Sequence, residues 1–184
     1  FRRCRMIGAS KRTGWRQEDA RGCCATARKL LTVLNAMLAV GADFEARAHN
    51  RRVTLASSMP AHIQGDARLL QSALDNIVRN ALRYTADGTS VTLSLTREHT
   101  PAEHWCITIR DHGPGVPEAM LPRLFEPFVR VDEARDRASG GYGLGLAIAQ
   151  RAIRLHAGEV SARNEPEGGL TVSVRLPVAS LVVL

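Results

Sequence analysis

Aromatic residues, regularly spaced cysteines and long apolar runs are all scarce in this 184-residue sequence. Phe, Trp and Tyr together make up 4% of the chain, so the core must be built from aliphatic side chains. The four cysteines show no C-x-x-C spacing, which argues against a zinc site or a disulfide framework. No apolar run approaches the ~18 residues of a membrane span, and the chain lacks the apolar stretch of a secretory signal. The composition predicts a cytoplasmic globular domain with an appendage.

The net charge of +7 is concentrated near the N-terminus. Residues 1–28 contain eight basic and two acidic side chains, whereas the rest of the chain carries 17 basic and 16 acidic ones. We therefore expect a basic leader, disordered or unrelated in sequence, over 1–28 and one folded domain over 29–184. The favoured interpretation of the leader is a solvated tail, with a nucleic-acid-binding arm as the alternative. The chain begins at Phe1 rather than Met, so we expect a fragment of a longer protein.

Hydrophobic periodicity predicts a mixed sheet with helices on one face. Helices are predicted at Lys29–Ala48, from a cap at Asp66 to about Tyr84, and from the Gly-rich loop to Gly158. Strands are predicted near 53–56, 91–96, 105–110, 160–162 and 170–176. About 30 residues before Gly143 contain one short helical stretch near 118–125, and connections of this length are usually functional. The pattern predicts an α/β (α+β) two-layer sandwich with a lid.

A glycine-rich loop, Gly140-Gly141-Tyr142-Gly143-Leu144-Gly145-Leu146, directly precedes the last predicted helix. Glycines let successive backbone N–H groups converge on an anion, and a helix N-terminus adds positive potential, which together favour phosphate binding. No Lys-Ser or Lys-Thr follows the glycines, which excludes a P-loop, and the polar residues 132–139 argue against a dinucleotide fold. A flexible hinge remains the alternative.

Polar residues on the helix after Asp66 form a second candidate site. Asn76 and Asn80 offer carbonyl oxygens one helical turn apart, as Mg²⁺ bridging a triphosphate would require, and Arg83 could meet a phosphate. The alternative is an exposed polar face without a role. Asp111 ends a predicted strand just before Gly113 and Gly115, which would let another molecule approach the backbone. An ionised carboxylate suits the amino group of adenine, although strand-ending aspartates are also common in turns.

Four motifs resemble, in their order, the boxes of sensor histidine kinases. The N box is matched by Asn76-x-x-x-Asn80 with Arg83-Tyr84, the first glycine box by Asp111-His112-Gly113-Pro114-Gly115, the F box by Leu124-Phe125-Glu126-Pro127-Phe128, and the second glycine box by Gly141-Tyr142-Gly143-Leu144-Gly145-Leu146. The motifs cover roughly 66–177. The stretch 132–137 looks similar to envelope-stress, Cpx-type sensor kinases.

This resemblance implies the Bergerat fold, with ATP between the lid and the helix that carries Asn76 and Asn80. It implies that Asn80 ligates Mg²⁺ with Asn76 nearby, that Asp111 binds the adenine amino group, and that Tyr84 lies beside the base. It places phosphates near Gly141, Gly143, Leu144, Gly145 and Leu146, lid anchors at Phe125 and Phe128, and an adenine-assisting hydroxyl at Thr171. Arg135 and Arg137 are lid candidates for phosphate contact, with solvated charges as the alternative.

The resemblance also implies a protein-histidine kinase that transfers the γ-phosphate of ATP to a histidine on a dimerisation hairpin, and through it to a response regulator. The six histidines lie outside the His-Glu/Asp-x-x-Thr/Asn-Pro motif of such hairpins: His49, His62, His99, His104, His112 and His156. We therefore expect a monomeric catalytic domain without its own phosphoacceptor, from a parent anchored in the inner membrane.

Other activities stay open at this point. Related gyrase, chaperone and mismatch-repair ATPases carry glutamate at the position of Asn76, so the asparagine disfavours an efficient ATPase, and Asp75 is one residue off that face. A stand-alone serine kinase of the anti-sigma-factor type and a non-catalytic nucleotide-binding module are the remaining alternatives. No nucleic-acid partner is expected for the folded part of the chain.

Overall fold

The computed structural model describes residues 30–32, 52–56, 61–99, 103–131 and 142–178. In chain order the elements are β1 (Leu30–Thr32), β2 (Arg52–Leu55), β3 (His62–Gln64), α1 (Ala67–Tyr84), β4 (Ser90–Glu98), β5 (His104–Arg110), a 3₁₀ helix (Glu118–Arg123), α2 (Gly145–Leu155), β6 (Glu159–Asn164) and β7 (Leu170–Pro177). The leader predicted over 1–28 lies outside the described residues.

A five-stranded mixed sheet organises the described part of the chain. Its strand order is β2-β4-β5-β7-β6, with β2 parallel to β4 and every other neighbouring pair antiparallel. β1 and β3 form a separate two-stranded antiparallel pair in which Leu31 lies opposite Ile63. β6 is therefore an edge strand of the larger sheet, which leaves one side of its backbone unpaired within that sheet.

Helix α1 begins and ends where its sequence provides caps. The Asp66 carboxylate accepts hydrogen bonds from the backbone N–H groups of Arg68 (2.8 Å) and Leu69 (3.2 Å), which satisfies two donors of the first turn. At the other end the Thr85 N–H donates to the Ala81 carbonyl. The apolar residues recur at helical spacing, so one face of α1 is buried and the opposite face is polar.

The core lies between one face of the sheet and the two helices. Leu70 of α1 and Ile153 of α2 line the same small apolar cavity as Ile107 of β5 and Val174 of β7. Because alternate residues of a strand point to opposite faces, Ile107, Ile109, Val172 and Val174 share this helix-facing side, while Thr108 and Ser173 lie on the other side. This two-layer arrangement confirms the predicted sandwich with helices on one face.

Most of the predicted helices and strands are confirmed. The first predicted helix is wrong in the part of it that the structure describes. Residues 30–32 were predicted to begin a helix, but they form β1 and pair with β3, because cross-strand pairing overrides a local helical period. The rest of that predicted helix, residues 33–48, lies outside the described residues. The short strand β3 was not predicted.

Among the described residues, no helix has both the length and the apolar character needed to cross a bilayer.

Candidate nucleotide-binding site

Asp111 directly follows β5 and is 3% exposed. One carboxylate oxygen, Oδ1, accepts hydrogen bonds from the backbone N–H groups of Gly113 (2.9 Å) and Leu170 (3.1 Å). The other oxygen has no hydrogen-bond partner among the described residues. Burial raises the pKa of the Asp111 carboxyl above its ordinary value, and the two backbone hydrogen bonds oppose that rise. The structure thus holds a buried carboxylate with one oxygen fixed and one oxygen available.

Two glycines permit backbone segments to approach Asp111 closely. A Cβ added at Gly169, where φ is +97°, would lie 2.1 Å from the Asp111 carbonyl oxygen. A Cβ added at Gly113 would lie 2.4 Å from the Tyr84 carbonyl oxygen. Neither distance is compatible with a side chain, so the loop after β5 is packed directly against the end of α1 and the β6–β7 turn. The sequence predicted a site role for Gly113 but only a turn at Gly169.

Thr85, at the end of α1, is a buried polar residue that sequence analysis missed. Its hydroxyl accepts a hydrogen bond from the His112 N–H (3.1 Å) and pairs with the Thr89 hydroxyl (2.7 Å). The His112 carbonyl accepts a further hydrogen bond from the Ala86 N–H (3.3 Å). These contacts attach the loop that follows Asp111 to the C-terminal end of α1. A threonine directly after the predicted helix is the sequence signal that could have indicated them.

Asn76 lies where α1 meets the start of α2. Its Nδ2 donates to the Ser72 carbonyl (2.9 Å), and its Oδ1 lies 3.3 Å from the position of a Cβ built on Gly145. Asn80, one turn further along, is half-buried, and its side chain makes no hydrogen bond with the described residues. Asp75 forms an ion pair with Arg79 (2.8 Å) on the surface of α1.

Arg83 and Tyr84 occupy the last turn of α1. The Arg83 guanidinium lies over the Tyr84 ring, 5.4 Å from its centroid. Both side chains are half-buried. The carbonyl of Tyr84 contacts Gly113, so this turn borders the same loop as Asp111.

The second glycine box forms the start of α2. Gly143 has φ +69°, Leu144 occupies the N-cap position without a side-chain cap, and Gly145 begins the helix. The N–H groups of the first turn therefore have no partner within the helix and can donate to an anion. The Leu146 side chain is buried in the core, so only its backbone is available to a ligand. Gly141, Arg135 and Arg137 lie outside the described residues.

The F box contributes one side-chain anchor rather than two. Phe125 is 8% exposed and belongs to the core, as predicted. Phe128 is 72% exposed, so the expectation that its side chain anchors the lid is not met. Its backbone makes the contact instead, since the Phe128 N–H donates to the Gly143 carbonyl (2.9 Å) with Phe128 at φ +66°.

Thr171 does not point toward Asp111. It lies opposite Arg110 in the sheet register, on the face away from the helices, and its hydroxyl donates to the Glu165 carboxylate (2.5 Å). This hydrogen bond also lowers the pKa of Glu165. The predicted contact of the Thr171 hydroxyl with adenine is therefore not supported, because strand alternation places it on the wrong face. The neighbouring Leu170 contributes through its backbone N–H, which side-chain chemistry could not reveal.

The side chains present suit Mg²⁺ only if phosphate and water supply most of its ligands. Within the described ranges, no cluster of three or more His, Cys, Asp or Glu side chains could hold a metal ion. Asn76 and Asn80 offer neutral amide oxygens, and Mg²⁺ commonly takes few protein ligands beside substrate phosphates and water. The donor set therefore fits a magnesium ion that arrives with a polyphosphate.

Residues 65–180 match the family described as histidine kinase-, DNA gyrase B-, and HSP90-like ATPase. The chain belongs to this family, and the predicted Bergerat fold is confirmed. Membership of an ATPase family also supports ATP as the ligand class.

Individual relatives are sensor kinases. The chain is 43% identical over 138 residues to the sensor histidine kinase CpxA of Escherichia coli K12, covering 74% of this chain and 29% of that protein. It is 37% identical over 161 residues to the signal transduction histidine-protein kinase AfsQ2 of Streptomyces coelicolor, covering 87% of this chain and 29% of that protein. The predicted likeness to Cpx-type sensor kinases is confirmed. The chain spans less than a third of the length of these relatives.

Solved structures show the same fold. The mycobacterial sensor histidine kinase MprB superposes with a TM-score of 0.72 at 24% identity, over 82% of this chain and 97% of that chain. The ATP-binding domain of PrrB from Mycobacterium tuberculosis superposes with a TM-score of 0.66 at 28% identity, over 82% of this chain and 97% of that chain. The described fold is thus that of a histidine-kinase catalytic domain.

Proposed function

We propose that this chain binds Mg-ATP and transfers its γ-phosphate to a histidine on a hairpin domain supplied by another polypeptide or segment. The observation that carries the proposal is the state of Asp111. One carboxylate oxygen is fixed by two backbone N–H groups, and the other is left for a donor. The exocyclic amino group of adenine is such a donor, whereas guanine presents a carbonyl at the equivalent position.

The remaining residues are arranged to receive the rest of the nucleotide. Gly113 and Gly115 let the loop after Asp111 pack against the Tyr84 carbonyl and the Asn164 amide, and the base is proposed to lie beside this loop, which Tyr84 borders. Asn76 lies next to the start of α2, where free N–H groups and the helix dipole favour the phosphates. Arg83, together with the proposed lid residues Arg135 and Arg137, would supply positive charge to the phosphates. Phosphoryl transfer requires mainly such positioning and charge neutralisation.

Magnesium belongs to this proposal through the two asparagines. Asn80 would hold the ion with Asn76 beside it, and the bound ion would neutralise charge on the phosphate oxygens. The amide at position 76 has no basicity with which to activate water, and Asp75 is held by Arg79. These residues favour transfer to an acceptor over hydrolysis.

The proposal includes the partners and the setting of the domain. The acceptor is a histidine-bearing dimerisation hairpin, and the phosphate passes from it to a response regulator. The domain acts on the cytoplasmic side of an inner-membrane-anchored parent, where ATP is present. The catalytic domain is proposed to extend over 29–184 with 1–28 as a leader, a boundary that the family match over 65–180 leaves as a prediction.

The test is phosphorylation of a separately produced hairpin domain by the 184-residue chain, with Mg²⁺ and γ-labelled ATP. The proposal predicts label on the hairpin that is lost in acid and stable in base, as for phosphohistidine. Asp111→Asn should abolish labelling, whereas Ser161→Ala on the exposed face of β6 should leave it intact. Acid-stable label would indicate a serine kinase instead. Nucleotide binding without label on any hairpin would indicate a non-catalytic module and contradict the proposal.

A further inference from the structure

Asn164, the last residue of β6, makes an unusual set of contacts with a loop 48 residues earlier in the chain. Its Oδ1 accepts a hydrogen bond from the Val116 N–H (2.9 Å), and its Nδ2 donates to the Val116 carbonyl (2.6 Å). The same Nδ2 also donates to the Glu118 carboxylate (3.0 Å). One side-chain amide therefore pairs with both backbone polar groups of Val116, as a neighbouring strand would.

Asn164 is also placed directly beside the Asp111 site. In the β6–β7 register it lies opposite Leu170, the residue whose N–H holds Asp111. The loop from Asp111 to Val116 is thus attached at both ends to the same end of the β6–β7 hairpin. Leu170 holds the first end through a backbone group, and Asn164 holds the second through its side chain.

Gly115 shows how closely Asn164 defines the loop. Gly115 has φ +75°, and a Cβ added there would lie 2.9 Å from Asn164 Oδ1 and 3.5 Å from the Gly169 carbonyl oxygen. The amide of Asn164 therefore packs against the backbone of Gly115 as well as binding Val116. Between these two attachments lie only residues 112–115, the part of the loop beside which the base is proposed to lie.

We propose that Asn164 is a positioning residue for the adenine nucleotide, acting through the Gly113–Val116 backbone rather than by contact with the nucleotide. This inference rests on the proposed function, because it concerns the affinity of the same site. Without the Asn164 amide, the Val116 N–H and the Val116 carbonyl lose their hydrogen bonds to that side chain. Asp111 keeps both of its own hydrogen bonds. The loop must then be ordered when the base binds, which lowers the affinity for ATP. The phosphate-facing residues of α1 and α2 are not touched, so transfer from bound ATP continues.

The first test compares Asn164→Ala with the unaltered 184-residue chain and with Ser161→Ala as a matched β6 control. The dissociation constant for ATP is measured by calorimetry, and the rate of hairpin labelling is measured at saturating ATP. We expect Asn164→Ala to raise the dissociation constant about tenfold, the loss that one to two hydrogen bonds produce. The saturated rate should stay within about twofold, and Ser161→Ala should match the unaltered chain in both.

A second set of variants tests the hydrogen-bond pattern itself. Asn164→Asp retains an acceptor for the Val116 N–H but places a carboxylate oxygen against the Val116 carbonyl and the Glu118 carboxylate, so it should weaken ATP binding at least as much as alanine. Glu118→Gln alone should be neutral, since its amide carbonyl still accepts from Asn164. Added to Asn164→Asp, it should recover several-fold of the lost affinity, because its amide N–H can donate to the introduced carboxylate.

The outcomes separate this inference from the function on which it rests. If the unaltered chain does not bind ATP, both are wrong. If it binds ATP but a folded Asn164→Ala binds equally well, or loses only its saturated rate, the positioning role is wrong and the proposed function stands. If Asn164→Ala does not fold, the aspartate variants decide, and equal affinities with and without Glu118→Gln would overturn the inference.

Discussion

The Asp111 carboxylate accepts a hydrogen bond from the backbone N–H of Leu170, 59 residues further along the chain. This contact joins the end of β5 to the start of β7, two neighbouring strands in the sheet. It occupies one oxygen of a buried carboxylate and orients the other. The proposed recognition of adenine therefore depends on the register between β5 and β7 as much as on Asp111 itself.

The raised pKa of Asp111 gives a prediction for pH. Because the proposed contact with adenine requires the ionised carboxylate, ATP affinity should fall as the pH drops through the raised pKa, at higher pH than an exposed aspartate would protonate. The folded state favours the protonated form, so ionisation costs stability as the pH rises through the same range. Asp111→Asn should therefore be at least as stable as the unaltered chain at pH 7. Calorimetric titrations and thermal melts from pH 4.5 to 8 measure both effects, and a lower melting temperature for the variant at pH 7 would contradict the account.

Gly169 and Gly168 form a matched pair for testing the close approach at Asp111. Both have positive φ, so alanine at either position carries a strain of about 1–2 kcal/mol. A Cβ at Gly169 also meets the Asp111 carbonyl oxygen at 2.1 Å, whereas at Gly168 the nearest atom lies 3.7 Å away. Gly169→Ala should abolish ATP binding in protein that remains folded, and Gly168→Ala should retain it with a modestly lower melting temperature. Equal binding by both variants would contradict the packing described.

Asn80 is predicted to act through magnesium. Asn80→Ala should remove most of the gain in ATP affinity that Mg²⁺ provides, while affinity for ATP in excess chelator stays near that of the unaltered chain. Asp75→Asn is the control on the same helix, since Asp75 pairs with Arg79 on the surface and should leave both values unchanged. Titrations with and without Mg²⁺ measure this difference. An equal loss of affinity for Asn80→Ala in both conditions would argue against a metal-holding role.

His156 is predicted to stabilise the helical layer rather than take part in transfer. Its Nε2 accepts from the Asp66 N–H (2.9 Å) and its Nδ1–H donates to the Ala152 carbonyl (2.7 Å), which links the end of α2 to the start of α1. A Cβ at Gly65 would lie 2.2 Å from the His156 ring. Gly65→Ala should lower stability by about 1–3 kcal/mol through overpacking. Gly65→Ala should cost less stability in a His156→Ala background, because the ring that the new methyl group would meet is then absent. Denaturant unfolding of the single and double variants measures this difference. Additive losses of stability in the double variant would contradict the contact.

The site could be predicted from the sequence wherever side-chain chemistry is displayed in local motifs. Asp66 at a helix start, Asn76 on the polar face of α1 and Gly143 before α2 are such cases, and the structure places each at the predicted point in the fold. Asn76 and Gly145, which belong to two different motifs, lie close together in the structure. Strands with clear alternation, such as β4 and β5, were also predictable, because one of their faces is buried.

What escaped prediction depends on contacts distant in the chain. Leu170 and Gly169 contribute through backbone groups, and Asn164 reaches a loop 48 residues away, so their side chains gave no local signal. Thr171 was assigned by motif position, and a shift of one residue along a strand moves a side chain to the other face. The helix predicted over 29–48 failed at 30–32 because pairing with β3 outweighs a local apolar period.

The most direct measurement is calorimetric titration of the chain with Mg-ATP, beside Asp111→Asn and a titration with Mg-GTP. We expect saturable binding of ATP, at least tenfold weaker binding of GTP, and loss of ATP binding in Asp111→Asn, whose thermal melt should remain cooperative. Equal affinity for the two nucleotides, or ATP binding unaffected by Asp111→Asn, would contradict the adenine site on which the proposed kinase function depends.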